Sequence, residues 1–262
     1  MIHIFIIIIP SSMNDRQASQ LLQHTAHRAS AEMPAGNWIW YQEWNRALFF
    51  HWKVDAELMK QLIPAGLEPD ILDGHAWISV VAFTMENIRP RYLPAIAMLS
   101  DFHEINVRTY VKSGEEAGVY FLSIEAQKYL SVKLSRSLSG LPYETAGMER
   151  KYGERHFYRS VNKRTGNILE ADYTTGPELA AKTPLDKWLT ERYYLFLDKG
   201  GRWYKYAIHH AEWRLYAPEF SALRISYNTG PFNLHHTNLA AVHYSDGVKV
   251  IAWPRAELAA GL

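Results

Sequence analysis

The sequence predicts a mainly β chain: one large antiparallel, barrel-like domain with two or three short helices packed outside. Three observations carry this. Aromatic residues reach 13% of the chain, with 9 Trp, 16 Tyr and 10 Phe, and such residues favour strands and ring-lined pockets. Short β-type runs, about a dozen of them, are punctuated by turn signals about every ten residues, the spacing of sandwiches and barrels. Beyond about residue 40 there is no internal repeat and no linker-like composition, so residues 36–262 are read as a single domain.

Residues 1–35 read as a leader without regular structure, with Met13 as an alternative start. Ile2 to Ile9 is apolar but far shorter than the roughly 20 residues a membrane span needs. No Lys or Arg precedes Arg16, so the basic region of a secretory signal is missing.

The first strand is Ala47 to Val54. Asp55 then caps a short helix through Ile63, which Pro64-Ala65-Gly66 ends. Asp73-Gly74 is a hairpin signal between Leu67–Leu72 and Ala76–Ile88. Pro90 and Pro94 mark an irregular loop. Glu104 to Val111 alternates strictly, with Glu104, Asn106, Arg108 and Tyr110 on one face and Ile105, Val107, Thr109 and Val111 on the other. A strand at Val119–Ala126 and a helix at Lys128–Ser139 follow. Glu154–Val161 and Ile168–Tyr173 form a hairpin. Thr183 and Pro184 open a helix as N-cap and first residue. Tyr193–Leu197 pairs with Arg202–His209, and late strands lie at Leu223–Tyr227, Leu239–Tyr244 and Val248–Trp253, with Asp246-Gly247 turning the last two.

Composition removes several function classes. Basic and acidic residues number 28 and 27, so no global positive field recruits nucleic acid or an anionic membrane. With no cysteine, disulfides, thiolate zinc sites and cysteine nucleophiles are excluded. Neither a Gly-x-Gly-x-x-Gly, a P-loop, a Gly-x-Ser-x-Gly nor an HExxH occurs. No cofactor and no metal is expected. The expected setting is the cytoplasm, and homo-oligomerisation stays open.

The polar face of Glu104, Asn106, Arg108 and Tyr110 is the strongest candidate site. Facing outward it is merely solvated. Facing inward, its charges must pair or meet a ligand, because burying them alone is costly. Arg108 can clamp a carboxylate, and Glu104 can orient it or move a proton. Glu104 and Arg108 lie roughly 13 Å apart along a strand, so they cannot bond each other. Glu191 and Arg192, set between aromatic residues, suggest a packed junction behind the site or a structural ion pair. His209 and His210 point to opposite faces of their strand, and His209 is the candidate acid or base.

Several segments together resemble the YqjF-like family of bacterial proteins of unknown function. They are His51-Trp-Lys-Val-Asp55, Leu62-Ile-Pro-Ala-Gly-Leu67, Asp73-Gly-His-Ala-Trp77, Phe102 to Val111, Leu189-Thr-Glu-Arg-Tyr193 and Ile208-His-His-Ala-Glu-Trp213. That family belongs to the acetoacetate-decarboxylase-like superfamily, so the resemblance implies a closed or nearly closed β-barrel with a central cavity. The superfamily's enzymes form a Schiff base through a lysine. Here Tyr110 falls where that lysine is expected, no Lys-Lys pair exists, and Lys112 is the nearest lysine. Glu104 carries over and the nucleophile does not. The reading is a barrel that binds a small anionic or carbonyl-bearing molecule at Arg108, Asn106 and Tyr110, with Trp77, Trp203 and Trp213 as apolar walls. Glu104 or His209 would carry protons in any lyase-like or acid–base chemistry. The rival is a ligand sensor or assembly module whose barrel is filled by its own side chains.

Overall fold

The computed structural model describes residues 18, 20–23, 25–28, 33–96, 100–127, 141–199 and 201–258. The helix expected at Lys128–Ser139 lies outside them. In chain order the strands are β1 (Trp40–Val54), β2 (Glu68–Pro69), β3 (Ala76–Pro90), β4 (Phe102–Ser113), β5 (Glu116–Ala126), β6 (Tyr143–Thr145), β7 (Gly147–Lys151), β8 (His156–Val161), β9 (Ile168–Thr174), β10 (Tyr194–Lys199), β11 (Arg202–His210), β12 (Glu219–Thr229), β13 (Phe232–His235), β14 (Ala241–Ala252) and β15 (Ala256–Glu257). Two short helices, α1 (Ala56–Lys60) and α2 (Pro184–Thr190), and a 3-10 turn at His236–Asn238 complete the described elements.

The larger sheet closes on itself. Its pairings run β4-β3-β1-β14-β11-β10-β5 and return from β5 to β4, a ring of seven strands. An odd ring cannot alternate direction throughout, so at least one neighbouring pair must be parallel. That pair is β5 with β10, through Leu195 opposite Val119 and Phe196 opposite Tyr120; every other pair in the ring is antiparallel. A second sheet of five strands, in the order β13-β12-β9-β8-β7, packs against the ring.

Period-two patterning sorts the side chains into two layers. Leu48, Phe50 and Trp52 of β1, Ile78 and Val80 of β3 and Ile105 and Val107 of β4 face outward. There they pack on Met148, Tyr158, Leu169, Ile225 and Leu234 of the second sheet. The alternate residues form the inner layer: Ala47 and Phe49, Val81 and Phe83, Ile124, and Val248 and Val250, closed over by Trp213 and Leu215. A third cluster sits on the outside of β1 and β14. There Ala18 and Leu21 are buried against Trp38, Tyr41, Ile251 and Trp253. Part of the stretch read as a leader therefore packs on the body.

Local structure differs from expectation at three places. Asp73-Gly74 makes its turn, with φ of 53° and 77°, but only an isolated Leu72–His75 bridge follows. β2 pairs with β4 instead, at Lys112 and Val111. Asp246-Gly247 does not end a strand, because β14 runs through it. Gly247, with φ 137°, sits opposite Asn45 next to an irregularity in β1 at Arg46. An added Cβ there would lie 2.4 Å from Asn45 Oδ1, so glycine is needed for close approach, not for a hairpin. Finally, the strand expected at Leu223–Tyr227 runs from Glu219 to Thr229 and turns back at Gly230-Pro231 to pair with β13.

Candidate functional site

The polar face of β4 points into the ring. Glu104, Asn106 and Arg108 are 3%, 6% and 8% exposed, and Tyr110 is fully buried. Register explains their company. Arg108 lies opposite Ser79 of β3, and Ser79 lies opposite His51 of β1. One rung deeper, Asn106 faces Val81, which faces Phe49. Glu104 faces Phe83 and Ala126 at the far end.

Arg108 is a buried cation without a carboxylate partner among the described residues. One Nη donates to Leu189 O at 3.2 Å, and its Nε has no partner. Phe49 and Tyr110 lie beside the guanidinium, with ring centroids 5.9 Å from Cζ. Asn106 Oδ1 is likewise buried and unpartnered. Buried polar atoms are almost always satisfied, so two unpaired groups on one face call for an explanation. Glu104 accepts a hydrogen bond from Tyr143 at 3.0 Å. Burial pushes its carboxyl up to about 8, against the partial opposition of that bond. Its distance along β4 keeps it from Arg108, as the spacing requires.

Tyr110 is held by its surroundings. Its Oη lies 2.8 Å from Leu189 O and 2.6 Å from Ser79 Oγ, and its one hydrogen can serve only one of them. Beyond Ser79 the polar run continues through His51 and His243 to Asp186. Asp186 is held at the start of α2 by a capping box with Thr183. Burial drives the His51 imidazole well below its ordinary value, with His243 and Arg108 adding to the effect. Burial also lowers His243, against the pull of Asp186. Burial alone would raise the Asp186 carboxyl, but hydrogen bonds from Thr183 and His243 hold it below the usual range.

The other expected residues divide by face. Trp77 packs with Tyr110, Val119 and Leu189. Trp213 closes the inner layer, edge-on to Phe49 at 5.1 Å. Trp203 is not part of the site: it packs on the outer layer and against Gly66. His209 also faces outward. It lies opposite Ile251, contacts Leu21 O at 3.0 Å and stacks on His27. His210, opposite Val250, is the inward neighbour and touches Trp213; burial pushes it down to about 3. Glu191 accepts from Lys182, Tyr193 and the Trp213 backbone, and so fixes the end of α2. Arg192 pairs with Asp70 at 2.7 Å and lies over the rings of Trp188 and Tyr110. Lys112, about half exposed, bonds the other oxygen of Asp70 at 3.1 Å.

A surface groove of about 1230 Å³ runs past this junction, lined by residues that include Trp188, Glu191, Arg192, Tyr193 and Glu116. Trp188 and Arg192 separate it from Tyr110. Sequence reasoning missed His51, Ser79, His243, Asp186 and His210. None belongs to a recognisable motif: strand register turns His51, Ser79, His210 and His243 inward, and the start of α2 brings Asp186 to His243.

The family model for DUF2071, described as an uncharacterized conserved protein, matches residues 41–249, which span the whole ring from β1 to β14. The chain belongs to the DUF2071 family. One relative in it is the uncharacterized protein YqjF of Bacillus subtilis (strain 168), 38% identical over 230 residues, covering 85% of this chain and 93% of the relative. Among solved structures, acetoacetate decarboxylase from Legionella pneumophila matches with a TM-score of 0.60 at 14% identity, covering 87% of this chain and 93% of that one. The enduracididine biosynthesis enzyme MppR complexed with pyruvate matches with a TM-score of 0.59 at 10% identity, covering 89% and 95%. This DUF2071 chain therefore has the acetoacetate-decarboxylase-like fold. Among the described residues no helix is long and apolar enough to cross a membrane.

Proposed function

We propose that the ring interior binds a small organic anion bearing a carbonyl group, with Arg108 holding its acid group. The observation that carries this is the buried guanidinium without a carboxylate, beside the unpartnered Asn106 Oδ1. A two-pronged carboxylate would satisfy Arg108. Asn106 offers a further polar contact, and Phe49, Trp77 and Trp213 supply apolar wall. The fold neighbour MppR is complexed with pyruvate, a molecule of this class. Ligand reaches the ring past Trp188 and Arg192 from the groove.

Glu104 is the acid: with its carboxyl near 8 it is largely protonated at neutral pH and can donate. Imine chemistry is not part of the reading. Lys112 is half exposed at the end of β4 and ion-paired with Asp70 at 3.1 Å. A second reading, a sensor or assembly module, is favoured by one observation: Leu189 O already lies within hydrogen-bond distance of both the Arg108 guanidinium and Tyr110 Oη.

Titration calorimetry with pyruvate, acetoacetate and their uncharged methyl esters separates the two. Binding of the acids, loss of binding with the esters, and loss of at least a hundredfold in affinity in a folded Arg108→Met variant are expected. Unchanged affinity in that variant, or no binding by the wild-type chain, favours the filled ring.

A further inference from the structure

The polar run inside the ring contains one more contact than it has hydrogens. Asp186 Oδ1 lies 2.9 Å from His243 Nε2. His243 Nδ1 lies 3.2 Å from His51 Nε2, and His51 Nδ1 lies 2.6 Å from Ser79 Oγ. Ser79 Oγ lies 2.6 Å from Tyr110 Oη, which lies 2.8 Å from Leu189 O. That makes five contacts. Two neutral imidazoles, one serine and one tyrosine supply four hydrogens, and an ionised Asp186 supplies none.

The two ends of the run differ in what a missing hydrogen costs. Between His243 Nε2 and the carboxylate, its absence would set a lone pair against a negative charge. Between Tyr110 Oη and Leu189 O it sets two neutral oxygens together, and Leu189 O keeps the hydrogen bond from Arg108. With the gap at Leu189 O, the run is polarised toward Asp186. Tyr110 donates to Ser79, Ser79 donates to His51 Nδ1, and both histidines carry their hydrogen on Nε2.

We infer that this run is a proton relay, in which a proton taken from a ligand at Tyr110 Oη is stored on His243 against Asp186. The relay rests on the binding reading above, since it needs a ligand beside Arg108. The step balances. A C–H bond next to the ligand carbonyl breaks and its electron pair stays on the ligand as an enolate, which lies near Arg108. The proton bonds to Tyr110 Oη, the Tyr110 hydrogen moves to Ser79, and the Ser79 hydrogen moves to His51 Nδ1. The His51 Nε2 hydrogen moves to His243 Nδ1. His243 becomes an imidazolium paired with Asp186, and all five contacts are filled. Reversal returns the proton to the ligand.

Tyr110 meets Arg108 and Arg192, the latter paired with Asp70. His51 meets His243 from β14 and Arg108 from β4. His243 meets Asp186 of α2 and Lys182 just before it. Lys182 is itself paired with Glu191 and Glu212. Arg108 opposes a proton resting on His51, whereas Asp186 favours one on His243, so the store is at the far end from the ligand.

Ring 15N NMR on the full chain with labelled histidine tests the relay without any ligand. At pH 7 both His51 and His243 are expected neutral with hydrogen on Nε2. An Nδ1–H tautomer of His51 at pH 7 overturns the relay. As pH falls, His243 is expected to gain a second hydrogen while His51 moves its own from Nε2 to Nδ1 and stays neutral. A His51 that becomes an imidazolium, or that keeps its Nε2 hydrogen while His243 titrates, also overturns it. Ser79→Ala keeps the histidine pair and cuts the link, so the His51 tautomer switch should vanish there; a switch that survives in that variant contradicts the relay. Because these signals need no ligand, failed binding of the acids with an intact switch overturns the binding reading alone. Arg108-dependent binding without the switch overturns the relay alone.

Discussion

A carboxyl, a guanidinium and a phenol on alternate positions of β4 carry most of what the site can do, and each has a measurable signature. Glu104 is the clearest. Its folded-state carboxyl sits near 8 against an ordinary 4.5, because burial disfavours the charge. A raised value means that the linked stability is fully present below the unfolded group's value and is lost as pH rises toward 8. The loss is on the order of several kcal/mol. Glu104→Gln should remove that slope: its melting temperature should exceed that of the wild type more at pH 8 than at pH 5. An equal offset at the two pH values would show that Glu104 is not the buried acid described. Asp70 gives a second signature. It holds Arg192 over Tyr110 in a buried pair, and breaking such a pair costs about 3–5 kcal/mol. Its bond to half-exposed Lys112 adds little. Asp70→Asn should therefore cost far more by urea denaturation than Lys112→Met; equal small costs would contradict the buried pairing.

The elements explain both what the sequence reveals and what it conceals. β4 is legible because its alternation is strict and local, and α2 because Thr183 and Pro184 are local cap signals that the capping box with Asp186 realises. β14 is misread because Asp-Gly signals a hairpin from sequence alone. Only the register against Asn45 of β1 shows Gly247 to be a point of close approach inside one continuous strand. The same non-local register decides that His210 rather than His209 faces inward, and it brings His51, Ser79 and His243 to Tyr110. Nothing within their own segments announces that meeting. Ring closure depends on a glycine of this kind. A Cβ on Gly118 would lie 2.5 Å from Tyr194 O and 2.8 Å from Phe196 Cε2, in the parallel β5–β10 seam. Gly118→Ala should cost about 1–3 kcal/mol through overpacking, read from chemical denaturation. A neutral effect would mean that the seam is looser than these distances.

At the scale of the molecule, the ring and the second sheet are tied by a buried carboxylate. Glu125 of β5 accepts from Asn162, Asn167 and Tyr227. Burial raises its carboxyl against those three bonds. Glu125→Leu should strip Asn167 and Tyr227 of this acceptor, leave Asn162 only its bond to Glu144, and cost about 2–3 kcal/mol or more, with Glu125→Gln costing less. Equal costs would show that the contact is packing rather than hydrogen bonding. With the ring braced in this way, its inner wall frames Arg108, and long-range closure buries a guanidinium that local alternation alone assigns only to a polar face. The most direct measurement of that central claim is a crystal structure with pyruvate soaked into the wild-type chain. The ligand carboxylate is expected against the Arg108 guanidinium inside the ring, within hydrogen-bond distance of Nε, with no covalent bond to lysine. Pyruvate seated elsewhere, joined to Lys112, or absent at a concentration that saturates binding in solution would contradict it.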